Sequence, residues 1–171
     1  ELMGELINDL LAYSRMERRD MARDPVALLP LVQQVLEGYE ADIRRMGVQV
    51  QMDLPPVTLA LDREGMAVVL RNLIGNAIKF SRDRQPPRLD IGSRREAGRL
   101  TLWVRDNGVG FDMKYHDRMF GIFQRLHRAE EFPGTGVGLA LVAKAVQRMG
   151  GRVWAESTLG SGSTFFLEFP E

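Results

Sequence analysis

The chain has 171 residues, of which 44% are hydrophobic and 27% charged, as in an ordinary soluble globular domain. Lys plus Arg and Asp plus Glu number 23 each, so no net charge favours nucleic acid or a membrane surface, and neither is expected as a partner. The absence of cysteine excludes disulfides and thiolate chemistry. No apolar run reaches the roughly 18–20 residues of a membrane span, and a cytoplasmic location is expected. Because residue 1 is Glu, we expect a piece of a longer protein.

The first 23 residues predict an isolated helix. Apolar residues recur at helical spacing from residue 2 to about Arg19, which indicates one amphipathic helix, too short to be a domain. Asp24-Pro25 marks the boundary to a second unit, residues 24–171. Asp24 is expected to cap, and Pro25 to open, a second helix that runs to about Met46 and ends at Gly47.

The rest of the chain alternates strands and helices. A break in periodicity over residues 112–136 indicates a functional or mobile connection. The order of elements predicts an α+β fold, a two-layer α/β sandwich with helices on one face of a mixed, mostly antiparallel sheet. The predicted elements are strands 48–52 and 57–61, a helix from the cap Asp62 to about Phe80, a hairpin of strands 88–94 and 100–106 around Ala97-Gly98, a helix over 138–149 and a hairpin of strands 153–156 and 163–169.

A row of polar side chains lies within the predicted helix that ends near residue 80. Asn72, Asn76 and Lys79 are spaced i, i+4, i+7 and therefore project from one helical face. An amide oxygen suits Mg²⁺, and a lysine donates to phosphate. The row could therefore bind an anion together with its metal ion. The alternative interpretation is a polar helix face exposed to solvent, which has the same spacing.

A glycine-rich turn follows the strand that ends at Asp106. Asn107-Gly108 is a strong hairpin-turn signal, which explains much of this segment by structure alone. A turn does not require the second glycine, Gly110. The two glycines allow the backbone to approach a flat ligand, and the Asp106 carboxylate can accept a hydrogen bond from an exocyclic amine.

A second glycine-rich segment, 134–139, directly precedes the last predicted helix and reads GTGVGL. Such glycines leave backbone amides free to face phosphate oxygens, and the helix N-terminus adds a positive end. The spacing is neither that of a dinucleotide fingerprint nor that of a P-loop. The alternative is a flexible hinge.

A third glycine-containing run, 160–164, leads into the last strand and ends at Thr164. By itself it indicates a tight turn between strands.

In this order and spacing, the four segments resemble the N, G1, G2 and G3 boxes of the histidine-kinase ATPase domain, within the superfamily that includes type II topoisomerases, mismatch-repair ATPases and large heat-shock chaperones. Segment 119–125 resembles the F box. Segments 124–127 and 130–136 are similar to phytochrome-type kinases, and segment 6–15 to the second helix of the dimerisation and phosphotransfer domain. The resemblance covers about residues 26–169 and implies a Bergerat-type ATP-binding fold.

The resemblance implies roles for the matching residues. Asn76 is expected to bind Mg²⁺, Asn72 to support the metal and phosphates, and Lys79 to donate to phosphate. Asp106 is expected to bind the adenine amine, with Thr164 supporting it through a water. The other residues expected around ATP are Gly108 and Gly110 at the adenine, Arg125 as a cation for the γ-phosphate, Phe123, and Gly134, Thr135, Gly136, Val137, Gly138 and Leu139 at the lid and phosphates.

The implied function is transfer of the γ-phosphoryl group of Mg-ATP to a histidine outside this chain, in two-component signal transduction. Asn72, Lys79 and Arg125 are the expected catalytic residues, acting by electrostatic stabilisation. The topoisomerase-like relatives carry a water-activating glutamate where this chain has Asn72, an amide without useful basicity, so poor hydrolysis is expected. The implied partners are the chain's own dimerisation helix, a second subunit, and the receiver domain of a response regulator.

The chain's two histidines are poor candidates for the acceptor. His116 precedes Asp117 and so mimics the acceptor dipeptide, but it lies in the segment expected to cover ATP. His127 is expected to be an exposed residue of the same segment. Neither has partners at the spacing of a zinc site.

Three other function classes are weighed against the kinase. An ATP-driven clamp or hydrolase is disfavoured by Asn72. A scaffold that binds no nucleotide is disfavoured by the intact motifs. A serine kinase of the anti-sigma type would not need the helix that precedes Asp24.

Overall fold

A computed structural model describes residues 2–123 and 136–171 of the chain. Helices and strands alternate through this part, as the sequence predicts. Its elements in chain order are α1 (Leu2–Arg18), β1 (Asp24–Ala27), α2 (Leu28–Gly38), α3 (Glu40–Met46), β2 (Gln49–Asp53), β3 (Thr58–Leu61), α4 (Arg63–Phe80), β4 (Arg88–Glu96), β5 (Arg99–Asp106), a short 3₁₀ helix (Met113–Tyr115), α5 (Gly138–Arg148), β6 (Arg152–Thr158) and β7 (Gly162–Pro170).

Five of the strands form one sheet in the order β2-β4-β5-β7-β6. Strand β2 runs parallel to β4, and the other neighbours are antiparallel. One face of this sheet packs against the helices through fully buried residues such as Ile91, Leu102 and Leu167. The predicted two-layer sandwich with a mixed, mostly antiparallel sheet is confirmed.

Helix α4 crosses the helical layer with one buried and one polar face. Its N-terminus is capped by Asp62, as predicted, because the Asp62 carboxylate accepts a hydrogen bond of 2.9 Å from the Gly65 N–H. The buried face consists of Gly65, Met66, Val69, Leu70, Leu73, Ile74, Ala77 and Ile78.

The predicted start of the second helix is wrong. Residues 24–27 form strand β1, which pairs antiparallel with β3 and places Val26 opposite Leu59. This pairing buries Val26, and Pro25 is tolerated because a two-stranded sheet leaves edge positions that need no N–H. Helix α2 begins only at Leu28, whose N–H donates to the Val57 carbonyl at 3.0 Å.

The predicted single helix to Met46 is also interrupted. Tyr39 (φ −107°, ψ 10°) separates α2 from α3, and its hydroxyl donates to the Arg71 carbonyl on α4 at 2.9 Å. The hydroxyl lies so close to α4 that a Cβ at Gly75 would be 2.5 Å from it. Gly47 ends α3 in the left-handed conformation, as predicted.

Helix α1 is joined to the rest of the fold at its C-terminal end. Met16 is buried, and the Arg148 guanidinium on α5 donates to the carbonyls of Met16, at 2.8 Å, and Arg19. The Asp62 carboxylate accepts hydrogen bonds from Arg19 at 2.5 Å and from the Ala22 N–H at 2.9 Å. Asp62 therefore connects the segment after α1 to the start of α4.

No helix in the described part of the chain combines the length and apolar character needed to cross a lipid bilayer.

The buried carboxylate of Asp62 should contribute more to the free energy of unfolding than an exposed carboxylate does. Burial raises its pKa, but the hydrogen bonds from Arg19, Gly65 and Ala22 outweigh burial and hold the pKa below its ordinary value. We expect Asp62→Ala to lower the free energy of unfolding by about 2 kcal/mol, from the lost cap and the lost hydrogen bonds from Arg19 and Ala22. Urea denaturation at neutral pH measures this.

The matched control is Asp53→Ala, at an exposed residue, which should cost less than about 0.5 kcal/mol. Because the folded pKa of Asp62 is lowered, its contribution is present above the unfolded pKa near about 3.9 and is lost as pH falls through the folded value. The difference between Asp62→Ala and the unaltered chain should therefore narrow in acid. Equal costs for the two variants at neutral pH would contradict this account.

Candidate functional site

The polar row on α4 meets the start of α5. Asn72, Asn76 and Lys79 are all partly buried. The Asn72 side-chain amide donates to the Val68 carbonyl at 2.8 Å. Its oxygen lies against the first residue of α5, since a Cβ at Gly138 would be 2.9 Å from Asn72 Oδ1. The structure thus brings the first and third predicted motifs into contact.

Lys79 lies beside a second feature, a groove between α3 and α4. The groove has a volume of about 370 Å³, and its lining includes Lys79, Tyr39 and Arg45. The Lys79 ammonium lies 4.8 Å from the centre of the Phe80 ring. Asn72 therefore faces α5, whereas Lys79 borders the groove beside α3.

Asp106 is a buried carboxylate at the end of β5. It is 7% exposed and accepts hydrogen bonds from the backbone N–H of Gly108, at 2.8 Å, and of Ser163. Burial raises the pKa of Asp106 to about 6, although both hydrogen bonds act to lower it. Above that pH both carboxylate oxygens are acceptors, whereas below it one oxygen carries a proton and becomes a donor.

The two glycines after Asp106 lie against protein backbone. A Cβ at Gly108 would be 2.3 Å from the Phe80 carbonyl oxygen, and one at Gly110 (φ 66°) would be 2.2 Å from that of Thr158. Backbone packing thus accounts for both glycines. Their approach to a flat ligand stays a prediction.

The expectation that Thr164 supports Asp106 is wrong. Thr164 Oγ1 accepts a hydrogen bond of 3.1 Å from Arg105 Nε, and the residue opposite Asp106 in the sheet is Ser163. Since neighbouring residues of a strand point to opposite faces, Thr164 lies on the face away from Asp106. The sequence analysis missed Ser163, which strand pairing alone could have revealed.

The two residues that flank segment 124–135, Phe123 and Gly136, are hydrogen-bonded to each other. The Phe123 N–H donates to the Gly136 carbonyl at 2.7 Å, and both residues have positive φ, 64° and 78°. Phe123 is exposed, Val137 is buried, and Leu139 is partly buried against the core. The predicted site residues Arg125, Gly134 and Thr135 lie outside the described residues, as does His127.

Comparison with known proteins identifies the family. The sequence profile described as "Histidine kinase-, DNA gyrase B-, and HSP90-like ATPase" matches residues 61–171. The chain belongs to this family.

Relatives of this ATPase domain include the cyanobacterial phytochrome A of a Nostoc species, 38% identical over 169 residues, and the methanogenesis regulatory histidine kinase FilI of Methanothrix harundinacea, 32% identical over 168 residues. These alignments cover 99% and 98% of the chain but only 22% and 19% of the relatives. The chain thus spans about a fifth of the length of these two relatives. The expected likeness to phytochrome-type kinases is confirmed.

Solved structures share the fold. The full-length histidine kinase ShkA, in complex with AMPPNP, superposes with a TM-score of 0.82 at 27% identity, covering 98% of this chain and 35% of ShkA. The histidine kinase ThkA, in complex with the response regulator protein TrrA, superposes with a TM-score of 0.78 at 22% identity, covering 98% and 47%. The expected Bergerat-type fold is therefore confirmed.

If Asp106 binds an adenine amine, ADP affinity should fall as the pH is lowered through about 6, because protonation replaces the charged acceptor by a weaker neutral one. Calorimetric titrations with ADP between about pH 5 and 8 measure this. Asp106→Asn, which does not titrate, is the control that separates this effect from titration of the phosphates. Parallel pH profiles for the two proteins would contradict the role of Asp106.

The same pKa shift has the opposite consequence for stability. Because the folded pKa lies above the unfolded value near about 3.9, the stability linked to Asp106 is fully present below that value and is lost as pH rises through about 6. Ionised Asp106 is therefore unfavourable for the fold at neutral pH, as is common for residues that serve a binding site.

Proposed function

We propose that residues 24–171 are the catalytic ATP-binding domain of a histidine kinase and that residues 1–23 come from the second helix of its dimerisation domain. The observation that carries this proposal is the contact between Asn72 and Gly138. It places the polar row of α4 beside the N-terminus of α5, an 11-residue helix. A helix N-terminus attracts phosphate through its free N–H groups and dipole, and the amides of α4 add metal-binding oxygens.

In this proposal the adenine lies at Asp106 and the phosphates extend toward α4 and α5. Asn76 would hold Mg²⁺, which usually takes one or two protein oxygens besides phosphate and water oxygens, so that a single partly buried amide fits it. The metal would neutralise phosphate charge. Lys79 would donate to phosphate, and Arg125 would add a positive charge at the γ-phosphate.

The residues at this site favour transfer over hydrolysis. The acceptor imidazole nitrogen attacks the γ-phosphorus, a P–N bond forms, the P–O bond to the β-phosphate breaks, and ADP leaves. The imidazole nitrogen brings its own lone pair, so the attack itself requires no protein base, and the proton on the other ring nitrogen then leaves to water. Activation of water would require one, and the Asn72 amide does not provide it.

The exposed face of α1 supports association with further helices. Met3, Ile7 and Leu11 recur every four residues and are 63%, 52% and 57% exposed. In a dimerisation domain this stripe would pack against the first helix and a second subunit in a four-helix bundle. The acceptor histidine would lie on that first helix. The complex of ThkA with a response regulator protein supports a receiver domain as a further partner.

The proposal is tested by transfer in trans. The chain would be mixed with a dimeric fragment that carries both dimerisation helices and their histidine, together with γ-labelled ATP. We expect an acid-labile, base-stable label on the fragment and none on the chain itself. Because tethering supplies much of the acceleration in such a step, labelling should be slow and dependent on concentration.

Two variants serve as controls in this assay. Asn76→Ala should abolish labelling of the fragment, and His116→Ala should leave it unchanged. Strong self-labelling of the chain that disappears on changing His116 or His127 would contradict the proposal, as would rapid ATP hydrolysis without an acceptor.

A further inference from the structure

One arginine side chain links the loop 107–110, which follows Asp106, to the turn between β6 and β7. Arg84 lies in the connection between α4 and β4 and is partly buried. Its Nη2 donates to the Gly108 carbonyl at 3.0 Å and to the Gly160 carbonyl at 2.6 Å. Hydrogen bonds from a charged donor are stronger than those between neutral groups. Arg84 therefore joins segments 24 and 76 residues away in the chain.

In the loop 107–110 that Arg84 contacts, the side chain of Asn107 accepts a hydrogen bond from the Arg88 N–H at 2.8 Å and donates one to the Pro86 carbonyl at 3.0 Å. Gly108 and Gly110 carry no side chain, and glycine backbone is intrinsically adaptable. The loop is positioned by bonds from its neighbours: the Val109 N–H donates to the Phe80 carbonyl at 3.2 Å, and the Val109 carbonyl accepts from the Gly160 N–H at 2.7 Å. The Arg84 side chain adds a further hydrogen bond to this loop, at the Gly108 carbonyl, from the connection that follows α4.

Gly108 supplies one of the two backbone N–H groups that orient the Asp106 carboxylate; Ser163 supplies the other. The Gly108 N–H donates to the Asp106 carboxylate at 2.8 Å, while the Gly108 carbonyl accepts from Arg84. One glycine is thus bonded on one side to the buried carboxylate and on the other to the guanidinium. Without the Arg84 bond, the peptide between Gly108 and Val109 would be held only by the bond from the Val109 N–H to the Phe80 carbonyl. Gly108 would then be freer to turn, which changes the direction of the N–H that is bonded to Asp106.

We propose that Arg84 is a positioning residue for adenine recognition: it fixes the loop 107–110 and thereby the direction in which Asp106 accepts its hydrogen bond. This inference rests on the proposed nucleotide-binding function. Arg84 acts through Gly108 and needs no contact with the nucleotide.

The test compares ADP and GDP, because guanine presents a carbonyl where adenine presents the amine that Asp106 would bind. Arg84→Met should weaken ADP binding about tenfold, the factor expected when the one hydrogen bond between the adenine amine and the charged Asp106 acceptor is lost. GDP binding should change by less than about threefold. Arg84→Lys, which keeps the charge and a donor, should fall between. Affinities are measured by competition with a fluorescent ADP analogue, and thermal melting confirms that each variant is folded.

Arg88→Met is the matched control, an exposed arginine nearby in the chain, and it should bind ADP as the unaltered chain does. ADP affinity of a folded Arg84→Met within about twofold of the unaltered chain would overturn the inference. So would equal losses for ADP and GDP, which would indicate general damage to the site. If Arg84→Met does not fold, the decision falls to Arg84→Lys, and equal losses for ADP and GDP there overturn the inference. Failure of the unaltered chain to bind ADP would overturn the proposed function itself.

Discussion

Burial of the apolar face of α4 fixes the orientation of the polar residues on the same helix. Met66, Leu70 and Ile74 are completely buried, and burial of each such side chain is worth about 1.5–3 kcal/mol. Rotation of the helix would expose this face, so Asn72 and Asn76 are held on the opposite side. The candidate site is therefore a consequence of core packing, and its amides need no dedicated framework of their own.

Polar bonds have the complementary role of fixing the connections between the packed elements. Asp62 bonds the start of α4 to the segment after α1, and Arg84 bonds the connection after α4 to two distant turns. Both ends of α4 are thus tied to other parts of the chain by charged side chains. Since each bond reaches a backbone group or an opposite charge, it specifies one geometry where apolar contacts would permit several.

Local signals allowed much of this fold to be predicted from the sequence, and long-range pairing accounts for the errors. The cap at Asp62 acts within one helical turn and was predicted correctly. The pairing of Val26 with Leu59 joins residues far apart in the chain, and no local pattern shows that it overrides a helix start. The assignment of Thr164 in place of Ser163 is an error of one residue, which in a strand moves a side chain to the other face. The phosphate-side residues of the connection 124–135 lie outside the described part of the chain and stay predictions.

The central claim is that α4, α5 and the Asp106 loop form one nucleotide site, and a crystal structure of this chain with Mg²⁺ and AMPPNP tests it most directly. The account predicts the adenine amine within hydrogen-bonding distance of the Asp106 carboxylate, the metal bound to the Asn76 amide oxygen, and phosphate oxygens facing the N-terminus of α5. A nucleotide bound elsewhere, for example in the groove between α3 and α4, with Asp106 and Asn76 making no contact to it, would contradict the account.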